Sequence, residues 1–185
     1  MKAPFTGRSY SLTPLGSGED RTQLPSTGIY SSQIRQKLNE QSIPSEPGDY
    51  ILWLALPAPS LRVIGQLGAF FFPEGVYAYV GSARGAGGLA GRIQHHQSPV
   101  LQPHWHIDYL RTVAGLEAVW WTAGAERLEH RWAAALAQLP AARVSAPRFG
   151  ASDCRCASHL YHFEHAPAPE DFARLAGLLP LVTRC

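Results

Sequence analysis

Gly75-Val76-Tyr77-Ala78-Tyr79-Val80-Gly81-Ser82-Ala83 runs through Arg84-Gly85-Ala86-Gly87 into Gly88-Leu89-Ala90-Gly91-Arg92-Ile93-Gln94-His95-His96. The β-branched and aromatic residues of Val76 to Val80 predict a strand that Gly81 ends. Leu89 and Ile93, spaced i, i+4, predict a helix over Gly88 to His96 with one narrow apolar face. A helix that opens after a glycine-rich link offers unpaired backbone N–H groups and a positive dipole end, where an anion can sit. Gly81, Ser82, Arg84 and Gly87 are therefore candidate phosphate contacts, joined by Arg92 one turn into the helix; an ordinary flexible turn is the plain alternative.

Two nucleotide readings of this loop fail on context. Gly85 to Ala90 fits a loose dinucleotide fingerprint, but the ribose-binding acid should end the next strand, and Leu116 to Trp121 finishes on Trp121-Thr122. A phosphate loop of the lysine type needs a lysine after its last glycine, and the only lysines are Lys2 and Lys37.

Working outward, Tyr50-Ile51-Leu52-Trp53-Leu54-Ala55-Leu56 reads as a mostly buried strand closed by Pro57. Leu61 to Ile64 and Gly68 to Phe72 read as a hairpin, Trp105 to Val113 as a second short helix, and Leu160 to Phe163 as a last strand. Glu126 to Leu139 is the clearest helix, with Leu128, Trp132, Ala135, Leu136 and Leu139 on one stripe and Pro140 as its stop. Pro169 to Leu179 reads as a terminal helix that starts on proline. The first thirty residues, rich in Ser, Thr, Gly and Pro, show no period and predict an extended arm, followed by a short helix over Ser31 to Glu40. The organisation is an arm over 1–45, a folded domain over 46–165 and a helix with tail over 166–185.

Composition bounds the function. A chain of 185 residues with 45% apolar residues can bury one core without disulfides, and no window is apolar enough to span a membrane. The N-terminus lacks the features of a secretory signal, so the expected location is the cytoplasm, with the three cysteines reduced. The formal net charge of +2 does not by itself diagnose a nucleic-acid partner. Nearly every basic residue is arginine, which suits forked contacts with phosphate, although coding bias explains this equally well. All eight histidines lie from His95 onward.

Gly48-Asp49-Tyr50, Tyr79-Val80-Gly81 and the arginine helix occur in that order. With His104-Trp105-His106-Ile107-Asp108-Tyr109-Leu110 and Phe149-Gly150-Ala151-Ser152-Asp153-Cys154-Arg155-Cys156, they resemble the GIY-YIG nuclease family, in particular its Uri-type prokaryotic endonuclease group. The resemblance covers about Gly48 to Phe163. It implies an α/β fold of the α+β type, a small antiparallel sheet core of three strands flanked by helices. It also implies a divalent-metal-dependent endonuclease acting on DNA, with Mg2+ or Mn2+, in which two tyrosines, a helical arginine, a histidine and a glutamate gather at one metal. A literal Gly28-Ile29-Tyr30 leads into Ser31-Ser32-Gln33 rather than a strand, so the first tyrosine is assigned to Tyr50, 29 residues before Tyr79.

The residues suit that chemistry. Arg92 and His96 share a helical face, and on the later helix Glu129 falls at the edge of the apolar stripe with Glu126 nearly opposite. Tyr50 or Tyr79 would be the general base, its phenol lowered by Arg92, His96 and the metal; Arg92 would hold the phosphate, and Glu129 would ligate the metal. His104 and His106, flanking Trp105, are either substrate contacts or a lid.

Cys154, Cys156, His159 and His162 form a dense cluster of zinc-type ligands. Cys-x-Cys is cramped for one ion, and a fourth ligand would have to come from His104 or His106, so structural Zn2+ at Cys154, Cys156 and His159 stands beside a plainer reading as small packing residues. Two other functions stay open: a nucleic-acid-binding module without chemistry, and a zinc-organised structural protein.

Overall fold

The computed structural model describes residues 42–185; most of the expected arm and the whole Ser31 to Glu40 helix lie outside the described residues. Strand β1 (Gly48–Leu56) is apolar on both faces, and all of its residues but Ala55 are buried, which places it mid-sheet. It pairs antiparallel with β4 (Gly75–Ala83) on one side and β5 (Gly115–Ala123) on the other. These three strands are the antiparallel core. β6 (Leu160–Phe163) adds outside β4 and β7 (Leu181–Arg184) outside β5, giving the order β6-β4-β1-β5-β7 and an α+β architecture.

The segment between β1 and β4 forms the separate antiparallel hairpin β2 (Ser60–Ile64) and β3 (Gly68–Phe72), turned by a short 3-10 segment. The inserted hairpin leaves the sheet register intact. Tyr50 lies opposite Gly81 and Leu52 opposite Tyr79, so both tyrosines point to the same face as diagonal neighbours.

Alternation divides the core. Tyr50, Leu52, Leu54, Tyr77 and Tyr79 face helices α1 (Gly88–Gln97) and α2 (His106–Arg111), through Leu89, Ile93, Ile107 and Leu110. Ile51, Trp53, Ala78, Val80 and Trp120 face α3 (Glu129–Gln138) and α4 (Pro169–Ala176), through Trp132, Leu136 and Phe172. Trp132 is fully buried, and its loss would cost about 3–5 kcal/mol.

Some boundaries differ from the sequence reading. α3 begins at Glu129 rather than Glu126, because the backbone N–H of Leu128 donates to Asp49 Oδ2 (3.1 Å), which holds the preceding residues out of the helix. α4 ends at Ala176 rather than Leu179, where Gly177 takes a φ of 76° and turns the chain into β7, a strand the sequence reading did not contain. No described helix is long and apolar enough to cross a membrane.

Candidate active site

Tyr50 crosses the face of β4 directly over Gly81. A Cβ at Gly81 would stand 2.4 Å from the Tyr50 hydroxyl oxygen, so glycine is required there for the tyrosine to lie flat. This is a packing role, different from the phosphate contact expected of Gly81. The Tyr50 hydroxyl then meets His96 Nε2 at 2.8 Å, inside the core. Burial, followed by Arg111 and His95, lowers His96 from 6.5 to about 3, so it is neutral near pH 7.

Burial also dominates the tyrosines. It raises Tyr50 well above its ordinary value, the Tyr79 charge adds to that, and Arg92 opposes it. Tyr79 is raised too, first by burial and then by Glu129, with Arg92 again lowering. Of the two protein groups expected to favour a phenolate, Arg92 does so and neutral His96 does not. Tyr79 is only partly buried, and among the described residues no hydrogen-bond partner engages its hydroxyl.

Arg92 stands over the Trp105 ring at 4.2 Å and opens into a shallow cleft of about 210 Å³ that Gly85, His95 and Trp105 also line. Glu129, at the first position of α3, is partly exposed and sets Oε1 3.3 Å from His159 Nδ1. Tyr50, Tyr79, Arg92, His96 and Glu129 thus come from β1, β4, α1 and α3. The charges of Arg92 and Glu129 act on both tyrosines.

The expected anion site at the start of α1 is closed. The N–H of Leu89 donates to the carbonyl of Glu46 and that of Ala90 to Pro44, both at 2.9 Å, while Gly88 and Gly91 bond back to Gly85 and Gly87. Gly88, with a φ of 51°, lets this strap pass, since a Cβ would strike the carbonyl oxygens of Ser45 and Glu46 at 2.3 Å. Gly87 supplies the left-handed N-cap (φ 84°) rather than an open cradle.

Arg84 is likewise engaged. Its guanidinium pairs with buried Asp49 and donates to Ser82 Oγ (3.0 Å) and to the carbonyls of Gly124 (2.7 Å) and Glu126 (2.5 Å). Arg84, Ser82 and Asp49 therefore clamp the ends of β1, β4 and β5 to the lead-in of α3, a positioning role the sequence reading missed for Asp49. Arg111 is buried against Asp108 and the Ser98 carbonyl (2.6 Å).

His104 is exposed beside Trp105, at a ring separation of 5.6 Å. His106 Nδ1 accepts the N–H of Gly150 at 3.0 Å, which fixes the Phe149-Gly150 turn against the Tyr79 ring. His162 turns away from the cysteines to the Glu74 carbonyl (3.0 Å). Cys154 and Cys156 converge with His159, and the fourth member of that group is His130 of α3, not His104 or His106. Cys154, Cys156 and Cys185 are free thiols, and burial and then Cys154 push the Cys156 thiol up to about 11.

No curated protein and no solved structure matches the chain. A family model described as a domain of unknown function, DUF123, matches residues 49–177, from the Asp49 of the clamp to the Gly177 that ends α4. That span holds all but the first residue of β1, strands β2 to β6 and all four helices, and the chain belongs to the DUF123 family.

Proposed function

We propose that the chain is a divalent-metal-dependent endonuclease that hydrolyses phosphodiester bonds in DNA. The observation that carries the reading is the gathering of Tyr50, Tyr79, Arg92 and Glu129 from four elements, close enough that Arg92 and Glu129 act on both phenols. Phosphodiester hydrolysis needs a base for water, a cation for the phosphoryl oxygens and help for the departing oxygen.

Tyr79 is the better base. Tyr50 is buried and its hydroxyl is held by His96, whereas Tyr79 is less fully buried and no described residue hydrogen-bonds its hydroxyl. Arg92, steadied on Trp105 at the cleft, would hold the scissile phosphate and draw down the Tyr79 phenol. Glu129 fits a hard cation, since it is a partly exposed carboxylate whose Oε1 faces His159 and whose other oxygen can take a metal that keeps several waters. Magnesium or manganese bound there would offset the Glu129 charge that raises the phenol and would stabilise the leaving oxygen.

One observation favours a second reading, a nucleic-acid-binding module: burial holds both phenols protonated on the chain's own charges. Plasmid nicking by purified protein with and without Mg2+ separates the two. Metal-dependent nicking that disappears in Glu129→Ala supports the nuclease; DNA binding with no nicking under any divalent metal supports the module.

A further inference from the structure

We propose that His130, Cys154, Cys156 and His159 form a zinc site that staples the first turn of α3 to the loop before β6. Their four ligand atoms lie within 4.8 Å of one another. Tetrahedral zinc, with Zn–S of about 2.3 Å and Zn–N of about 2.0 Å, sets ligand-to-ligand edges of roughly 3.3–3.8 Å. Cys154 Sγ and His159 Nε2 already stand at such an edge, 3.4 Å apart, and the remaining pairs need to close by about 1.5 Å at most.

The loop is shaped for this before any ion arrives. Arg148 Nη1 donates to the carbonyls of both Cys154 (2.6 Å) and Cys156 (3.2 Å), folding the backbone around one guanidinium so that the thiols share a side. That resolves the cramped Cys-x-Cys spacing, because the two sulfur atoms lie within 4.8 Å of each other rather than diverging.

His159 gives the arrangement its second layer. It is almost fully buried, and its Nδ1 lies 3.3 Å from Glu129 Oε1 without an aligned hydrogen bond, an uncomfortable state for a buried polar atom. Zinc on Nε2 would fix the proton on Nδ1 and direct it at Glu129, the carboxylate–histidine–metal order common at such centres. Four protein ligands leave no open position, so the role is structural. Two thiolates balance the ion's charge, and uptake displaces their two protons to solvent. The site does not depend on the nuclease reading, although it would orient Glu129 whatever that residue does.

The test uses the full chain, purified reduced and treated with zinc or cobalt. One equivalent of zinc should be retained, cobalt should give thiolate charge-transfer and tetrahedral d–d bands, and uptake should release about two protons per chain. With zinc bound, only exposed Cys185 should react quickly with a thiol reagent; a chelator should expose Cys154 and Cys156 as well. Cys154→Ser and Cys156→Ser should lose the cobalt spectrum while Cys185→Ser keeps it. Glu129→Gln should keep the spectrum but weaken affinity about 10- to 100-fold. In the wild-type protein, thiols equally reactive with and without zinc, or no cobalt–thiolate band, would overturn the proposal without bearing on DNA cleavage.

Discussion

Tyr50 and His96, 46 residues apart, meet through a 2.8 Å hydrogen bond inside the core, and neither carries charge near neutral pH. The pair ties β1 to the last turn of α1, the helix that carries Arg92. Its neutrality follows from burial, which penalises an imidazolium and a phenolate alike.

A pH dependence of stability follows. The folded pKa of His96 is depressed from 6.5 to about 3, so below pH 6.5 the unfolded chain takes up a proton that the folded chain refuses. Stability should fall as pH drops through that window, with a slope from this group of about 1.4 kcal/mol per pH unit, and should not depend on His96 above it. Denaturant melts of wild type and His96→Gln between pH 4 and 7 measure the difference. Parallel curves would show that His96 is not the buried neutral group described.

Gly81→Ala should be destabilising by about 1–3 kcal/mol, because the added methyl must displace the Tyr50 ring that His96 holds. Thermal denaturation measures it. An unchanged melting temperature would mean that Tyr50 moves freely, against its 2% exposure.

Arg84 and Arg92 should separate in a DNA-binding titration against salt. Arg92→Ala should reduce the logarithmic slope by about 0.9, the loss of one phosphate contact. Arg84→Gln should leave the slope unchanged while lowering stability by about 3 kcal/mol, since it strands the Asp49 carboxylate in the interior. The reverse pattern would place Arg84 at the DNA.

On α3, Glu129→Ala should abolish magnesium-dependent nicking and leave DNA binding nearly intact. Glu126→Ala is the matched control, because its side chain is exposed and among the described residues pairs only with Arg131 at 3.8 Å, while the carbonyl that Arg84 uses is retained. Equal losses in the two variants would point to damage at the start of α3 rather than to metal chemistry.

The strands and helices around Tyr50, Tyr79 and Arg92 were legible because each carries its own local signal: a run apolar on both faces in β1, β-branched and aromatic residues in β4 and an i, i+4 pair in α1. The two tyrosines could be paired across an inserted hairpin because register depends on which face is buried, not on loop length. What stayed hidden is tertiary. The Asp49–Arg84 clamp joins residues 35 apart, the caps on α1 are backbone carbonyls that any side chain could precede, and His130 carries no local signal for the cysteines until α3 is placed on the sheet. The start of α3 was misread for the same reason, since Asp49 rather than a neighbouring cap decides it.

The strap over the start of α1 also changes where the folding unit begins. The sequence reading starts the domain at residue 46 and the family match at Asp49, yet two donors of α1 take the carbonyls of Pro44 and Glu46. A truncation at residue 48 would remove these acceptors together with Ile43, which packs on the core, and so fray the helix that carries Arg92 and His96, whereas one at residue 42 would not. The minimal domain is set by the acceptors a helix needs as well as by the side chains the core buries.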